Sequence, residues 1–586
     1  MKILLVAINA KYIHTNPAVY LLRANAGGLR KEVGIREFTI NQSLDDILQG
    51  IVEEKPEFIG FSCYIWNISM VKMLVRECKK LLPDSLLWLG GPEAEAGAET
   101  LLQEYPQIDG IMYGEGEKTF PQLLRYYFVI NTFRKSDKEL RTKEIHDIPG
   151  IIFCTDAGIV KTLPAPPVNL DKLVFPYDEE VLEQTKGKIL YYESSRGCPF
   201  HCSYCLSSED NHVRFRSVDK VKEDLRIFLN AKIPQVKFVD RTFNCNHERM
   251  TELLQFILEQ DNGVTNFHFE IGGDLLTDEE ILLLGKFRPG AVQFEIGVQT
   301  TNPEVMERIG RVNKKEALFH NVRALLQDAK QHVHLDLIAG LPGEDMQSFI
   351  HSFDEVYSLH PHQLQLGFLK VLGNTRIFRE TEAYGIKYRE YPPYEVLETA
   401  SISYRELLEL KQVEEMVEIY YNSGQFAEEL RFAENYLSNQ CNDSFSAYKM
   451  YRGLAGLYFS CFSNGMQSSR MAKYEVLIEY IRSATEAELH DVVTQLAVYD
   501  CYARERKKAR PAFSQQNDGE RMVRAMLREN EAFITYSNEN HAEYFTVDIK
   551  KTAETGTAAF RENIAIFNYE KRSPITDNAE VMFYDV

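Results

Sequence analysis

The chain has no run of about 18 apolar residues, which excludes membrane-spanning helices from the reading. Its first apolar stretch, MKILLVAINAKYIHTNP, has no small-residue cleavage site after it. It therefore reads as a buried first strand rather than a signal peptide, and a cytoplasmic location is expected. Positive charge is in deficit: 66 Lys and Arg against 86 Asp and Glu leave a net charge of −20. That argues against a nucleic-acid partner, because phosphate binding needs a concentrated positive surface. The basic run Arg504-Glu505-Arg506-Lys507-Lys508-Ala509-Arg510 is a local exception and reads as a solvated helix face. Internal repeats and low-complexity tracts are absent. Ten cysteines in a cytoplasmic chain do not suggest a disulfide framework. Seven of them, Cys63, Cys78, Cys154, Cys245, Cys441, Cys461 and Cys501, are scattered, whereas Cys198, Cys202 and Cys205 fall within eight residues.

What is present has the pattern of an α/β protein. At 586 residues the chain is too long for one core, so two to four domains are expected. In residues 1–130 short apolar, β-branched runs (KILLVAIN, IREFTI, EFIGFSCYI, SLLWLGG, DGIMYGEGE) alternate with amphipathic segments. Five strands in this order predict a flavodoxin-like doubly wound domain with its ligand crevice at the strand C-termini. Residues 131–186 read as a linker: a charged run over 134–143, a hairpin turning at Asp156-Ala157-Gly158, and the Pro-rich PAPPVNL. A second βα series fills 187–395, with strands in KILYYESSRG, QVKFVDRTF, NFHFEIGGD, AVQFEIGVQT, HVHLDLIAGLPG and QLQLGFLKVL. Six such units make a partial (β/α)6 barrel, with its active site at the C-terminal strand ends. Arg196, Asp240, Asp274, Gln299 and Gly343 all stand there. Residues 396–586 predict a mixed helical and β accessory domain. Long helices are expected through EVLETASISYRELLELKQVEEMVEIYY, AEELRFAENYL and AKYEVLIEYIRSA, and strands in AFITY, YFTVDI, IAIFNYEK and VMFYDV.

The densest chemistry is Ser195-Arg196-Gly197-Cys198-Pro199-Phe200-His201-Cys202-Ser203-Tyr204-Cys205. Three thiolates at C-x3-C-x2-C spacing hold three irons of a [4Fe–4S] cube and leave the fourth open. No further Cys or His stands at the spacing of a zinc tetrahedron. A buried small hydrophobe is the plainer reading of Cys245, beside a contact with substrate or a redox group.

SRGCPFHCSYC resembles the cluster motif of the radical S-adenosylmethionine (SAM) superfamily, and the resemblance extends through about residue 395. It implies a [4Fe–4S] cluster on Cys198, Cys202 and Cys205. It also implies SAM contacts from Phe200, Tyr204, Asp240, Glu270, Glu295, Gln299, Ile338, Gly340 and Gly343. Relatives often carry Gly-Gly-Glu at the second strand, where this chain has FVDRTFN. A flavodoxin-like domain ahead of the barrel resembles the cobalamin-dependent branch, which implies cobalamin contacts from Asn9, Ser62, Tyr64, Gly90, Gly91, Gly114 and Glu115. Glycines at 90 and 91 clear side chains from the path of a bulky ligand. The Asp-x-His-x-x-Gly motif that supplies a cobalt-ligating His in methionine synthase is replaced by Asn9-Ala10-Lys11-Tyr12-Ile13-His14, so cobalamin is expected without a protein His on cobalt.

Methyl transfer to an unactivated carbon through a 5′-deoxyadenosyl radical and methylcobalamin is the implied reaction. Cyclisation or rearrangement, tRNA modification, and a cobalamin- or redox-responsive sensor are the alternatives. The partners implied are a small-molecule or peptide substrate and a one-electron donor of flavodoxin or ferredoxin type, with no nucleic acid and no membrane. The C-terminal region resembles an uncharacterised extension and is expected to close the open side of the barrel.

Overall fold

The computed structural model describes residues 2–11, 13–133, 144–209, 212–328, 330–440, 444–462, 468–507, 509–514, 519, 521, 523 and 540–586. Strand β1 (Ile3–Asn9) is buried at all seven positions, as expected of a parallel strand covered by helices on both faces. It lies between β2 (Val33–Thr39) and β3 (Phe58–Ser62), followed by β4 (Leu86–Gly90) and β5 (Gly110–Met112), all parallel. The order β2-β1-β3-β4-β5 is the doubly wound arrangement predicted from the sequence.

The hairpin of the linker, β6 (Ile151–Thr155) and β7 (Gly158–Lys161), does not stand apart. It extends the first sheet to seven strands, pairing antiparallel with β5 through Ile111↔Ile152 and Met112↔Ile151. The reason is physical: β5 would otherwise present an open edge, and Ile151, Ile152 and Phe153 bury themselves by closing it. The charged run over 134–143 lies outside the described residues.

All six barrel strands form: β8 (Leu190–Tyr192), β11 (Gln235–Phe238), β12 (Asn266–Ile271), β13 (Val292–Gln299), β14 (His332–Ala339) and β15 (Gln363–Phe368), in sequential order. Between β8 and β11 a two-residue ribbon pairs β9 (Ser195–Arg196) with β10 (Arg214–Phe215). Phe238, Phe243 and Phe269 fill the barrel core, with ring centroids 4.1 Å apart for Phe243 and Phe269.

The chain divides into two compact units. One comprises Met1–Phe294, Glu307–Leu318 and Leu369–Leu397; the other comprises Glu295–Met306, Phe319–Phe368 and Glu398–Val586. The division falls inside β13. Beyond the barrel, β16 (Lys387–Tyr388) pairs with β17 (Val396–Glu398).

The long helix expected from Glu395 starts instead at Tyr404. Ser403 accepts from the Glu406 N–H while Glu406 reaches back to the Ser403 N–H, a capping box that fixes the start there. Helices Ala427–Gln440, Ala447–Cys461, Arg470–Ala484 and His490–Arg504 follow. The basic run is not a helix face, because its helix ends at Arg504 and Glu505–Lys507 are extended or irregular; Lys508 lies outside the described residues. Strands β18 (Asn540–Val547), β19 (Phe560–Arg572) and β20 (Ala579–Asp585) form an antiparallel meander. The expected strand AFITY, and Cys441, lie outside the described residues. Among the described residues no helix is long and apolar enough to cross a membrane.

Candidate active site

The three clustered thiols share one loop in the first unit. Four backbone hydrogen bonds shape it. The Ser203 N–H donates to the Ile309 carbonyl (2.7 Å), the Ile377 N–H to the Ser203 carbonyl (2.9 Å), the Cys205 N–H to the Cys202 carbonyl (3.1 Å), and the Ser208 N–H to the Cys205 carbonyl (3.2 Å). Segments remote in sequence therefore hold the loop from both sides. Thr242 Oγ1 lies 3.7 Å from Cys198 Sγ. Arg311 Nη1 lies 3.7 Å from Cys202 Sγ and 3.5 Å from the Tyr204 hydroxyl.

The donor set fits a polynuclear cluster. Burial raises the Cys198 thiol's pKa, and Cys205 and Cys202 add to the shift, so the three groups sense one another. Among the described residues no three His, Cys, Asp or Glu side chains converge on a single-ion site. Three thiols within eight residues of one loop suit the separate corners of a cube.

Asp240 takes a different part from the SAM contact expected of it. It is buried, and it accepts from the Ser194 N–H (2.8 Å), Ser194 Oγ (2.6 Å) and Ser195 Oγ (2.7 Å). Its two oxygens thus fasten the turn between β8 and β9, just ahead of the cysteines. Arg249 binds the same turn through the Ser194 carbonyl (3.1 Å). Glu270, on β12, stands 3.9 Å from Arg241. Cys245 is half-buried and its N–H donates to the Thr242 carbonyl; burial, then Asp240 and Cys198, pushes its pKa up to about 11, so it remains a thiol. Phe200 is half-buried.

In the second unit, Gln299 closes β13 with φ +74°, and its buried Oε1 has no hydrogen-bond partner. Glu295, on the same strand, and Ile338, on β14, are half-buried. Gly340 and Gly343 both take positive φ just beyond β14. Glu344 is 1% exposed; Oε1 accepts from Thr300 Oγ1 (2.5 Å) and Oε2 has no partner. Burial pushes its pKa up to about 7 against the opposing Thr300 and Ser348 hydroxyls. Two buried acceptors without partners near the ends of adjacent barrel strands suit a polar ligand.

The first sheet carries a cavity of about 320 Å3 at its strand C-termini. Ser62, Tyr64, Gly90, Gly91, Gly114 and Glu115 all line it, beside Trp88 and Met112. Gly91 has φ +106°, and a Cβ there would stand 2.5 Å from the Cys63 carbonyl oxygen, so only glycine fits. This glycine-lined crevice at a topological switch point suits one flat portion of a large cofactor.

One of the residues expected to contact cobalamin, Asn9, needs correction. Asn9 does not line the cavity; its amide donates to Glu37 Oε1 (3.0 Å) and its Oδ1 lies 3.5 Å from Asn16 Nδ2. Glu115 lines the cavity, but its carboxylate is engaged by Arg214, Arg196 and the Val168 N–H (2.7 Å). His14 lies off the cavity as well. Its Nδ1 is 3.2 Å from the Thr15 carbonyl and its ring meets Tyr191 edge-on at 5.3 Å. The sequence reading missed Arg311, Thr242, Glu117 and Glu344. None repeats at a spacing that marks a motif, and folding alone brings each to its place.

Three family models match: a B12-binding domain over residues 3–124, the radical SAM superfamily over 192–356, and a protein domain of unknown function (DUF4080) over 382–571. The chain thus carries a B12-binding domain and a radical SAM domain. Its cofactors are those its domains imply: a [4Fe–4S] cluster, SAM and cobalamin.

Curated relatives include an uncharacterized methyltransferase of Pyrococcus horikoshii, 24% identical over 46% of this chain and 57% of the relative. The anaerobic magnesium-protoporphyrin IX monomethyl ester cyclase of Rubrivivax gelatinosus is 24% identical over 57% and 59%. The cobalamin-dependent radical SAM methyltransferase TokK of Streptomyces tokunonensis is 22% identical over 59% and 51%. The chain thus spans less than two thirds of the length of these relatives. Among solved structures, the cobalamin-dependent SAM radical enzyme OxsB with aqua-cobalamin bound aligns over 90% of this chain and 83% of its own, with a TM-score of 0.57 at 14% identity. The radical SAM methyltransferase TsrM of Kitasatospora setae, with cobalamin and [4Fe–4S] cluster bound, aligns over 67% and 79%, with a TM-score of 0.51 at 17% identity. At these identities the likeness concerns the fold.

Proposed function

We propose that this B12-binding radical SAM enzyme transfers a methyl group to an unactivated carbon of a small-molecule or peptide substrate. The observation that carries the reading is the pairing, within one compact unit, of a three-thiol loop and a glycine-lined cavity at the first sheet's switch point. With the cofactors bound, the cluster and SAM supply a 5′-deoxyadenosyl radical and cobalamin supplies a transferable methyl group.

The chain's own residues bind and orient. Cys198, Cys202 and Cys205 hold the cluster, and Arg311 places its guanidinium against Cys202 Sγ at 3.7 Å. Gln299 offers its unpartnered Oε1 to a polar group of SAM. Ser62 and Tyr64 line the cobalamin cavity, and Gly91 keeps the turn from β4 clear of side chains. His14 is engaged by the Thr15 carbonyl and does not line the cavity, and we propose that cobalamin is held without a protein imidazole on cobalt. Reduction of the cluster requires a one-electron donor, for which we propose a flavodoxin or ferredoxin.

The decisive experiment is anaerobic reconstitution followed by incubation with SAM, a strong reductant and candidate substrates. Formation of 5′-deoxyadenosine, which carries off the abstracted hydrogen, together with a product in which methyl replaces that hydrogen (a net gain of CH2) is the expected result. 5′-Deoxyadenosine with an unmethylated product that gains a ring favours the cyclase or rearrangement reading instead, and no 5′-deoxyadenosine from an intact cluster with strong reductant favours the sensor.

A further inference from the structure

The ribbon immediately ahead of the cluster loop contains a pairing that should be unfavourable. In the register of β9 and β10, Arg196 stands directly opposite Arg214, and like charges in facing positions repel. Three carboxylates cancel that repulsion. Arg196 grips Glu193 bidentately (2.9 and 2.7 Å), takes Glu117 through Nη2 (2.7 Å), and places Nη1 3.3 Å from Glu115. Arg214 pairs with the same Glu115 oxygen and also donates to the Val168 carbonyl (3.0 Å). Arg196, Glu117 and Glu115 are at most about one-fifth exposed, so solvent screens these pairs less than surface ones.

Glu115 and Glu117 belong to the first domain, at the start of the helix Gly116–Phe133, and both line the 320 Å3 cavity, as does Arg196. Arg196 is two residues from Cys198, and between them stands Gly197, which admits no side chain: its φ is +98° and a Cβ there would stand 2.4 Å from the His212 carbonyl oxygen. Moving Arg196 therefore moves the first cluster ligand with little slack.

We propose that Arg196 is a positioning residue which, through Glu117 and Glu115, couples occupancy of the cobalamin cavity to the geometry of the cluster loop. The proposal rests on the cobalamin reading of the cavity. A ligand that fills the cavity presses on the rim carboxylates, these fix the two arginines, and the ribbon sets the loop. Linkage makes the effect reciprocal, so a loaded cluster must change cobalamin affinity by the factor by which cobalamin changes cluster affinity.

The test is a thermodynamic cycle on the full chain. Hydroxocobalamin affinity is measured by optical titration on cluster-loaded and cluster-free protein, for the wild type, Glu117→Gln and Arg196→Lys. Electron paramagnetic resonance spectra of the reduced cluster are recorded with and without hydroxocobalamin. We expect the wild type to bind at least about 5-fold more tightly when the cluster is loaded, the lower end of usual coupling, and its cluster spectrum to change on hydroxocobalamin addition. In Glu117→Gln the ratio should fall below about 2-fold and the spectral change should vanish, with Arg196→Lys intermediate, since Lys keeps the charge but not the fork.

Glu117→Gln tests the coupling even if Arg196→Lys does not fold. A wild-type ratio near 1 with an unchanged spectrum overturns the inference while leaving the cofactor assignment intact, and so does a full wild-type ratio in Glu117→Gln. A wild type that binds no hydroxocobalamin overturns the cofactor assignment first and this inference with it.

Discussion

At the residue scale the cluster loop makes the sharpest demand. Cys202 is nearly buried and faces Arg311, so its loss leaves that guanidinium without its sulfur contact and, on the proposed reading, the cluster without one of its ligands. Cys202→Ser should lower the iron content of reconstituted protein to less than about a quarter of wild type and abolish 5′-deoxyadenosine formation. Iron retained at wild-type level in that variant would show that the cysteines do not hold the cluster.

Glu344 gives a pH signature. Burial raises its folded-state pKa to about 7, above its ordinary carboxylate value of 4.5. Below about pH 4.5 both states carry the proton. Between there and 7 the unfolded chain releases it while the folded chain keeps it, so this residue's contribution to stability falls as pH rises, by about 3 kcal/mol in all. Glu344→Gln should therefore gain stability relative to wild type on going from pH 5 to pH 8, as read in paired thermal-unfolding scans. A difference that does not change with pH would mean that Glu344 ionises normally.

At the scale of elements, we propose that the turn from β4 into the helix Pro92–Ala96 shapes the cofactor cavity, which Gly90 and Gly91 line. The Cβ of Gly91→Ala would collide with the Cys63 backbone rather than with a flexible side chain, and the φ of +106° is strained for any L-residue. This variant should bind hydroxocobalamin at least about 10-fold more weakly and still incorporate iron on reconstitution. His14→Ala, by contrast, should leave the optical spectrum of bound cobalamin unchanged, because His14 bonds Thr15 and packs on Tyr191 away from the cavity. A loss of imidazole ligation in that spectrum would place His14 on cobalt after all.

Local sequence was informative here where period and caps agreed. The alternation of short apolar strands and amphipathic helices foretold the 2-1-3-4-5 order and all six barrel strands. It misjudged the start of the helix at Tyr404, because the apolar pattern runs on through residues 395–403 while the Ser403–Glu406 capping box stops the helix. It also treated the 151–161 hairpin as part of a linker, because nothing local reveals that the edge of β5 needs a partner.

At the scale of the whole molecule, we propose that charge disfavours a nucleic-acid partner. A net charge of −20 works against binding of polyanions. A tRNA mobility-shift assay at about 0.15 M salt, near the ionic strength of the cell, should show no complex at micromolar protein; a salt-sensitive complex would revive a tRNA-modifying role.

The cofactor chemistry was set by short stretches of sequence, because ligand identity and spacing are local: three cysteines in eight residues and a Gly-Gly at a strand end. Which polar groups remain available to the cofactors was decided only by tertiary structure. Asp240 and Glu115 read as binding residues and prove to be fastened to Ser194, Ser195, Arg196 and Arg214. Arg311 carries no motif and proves to touch a cluster thiol. The physical reason is that a charged side chain is assigned by whatever opposite charge or hydrogen-bond partner burial brings to it. Those partners, 46 residues away for Ser194 and 99 for Arg214, belong to the fold and not to any stretch of sequence.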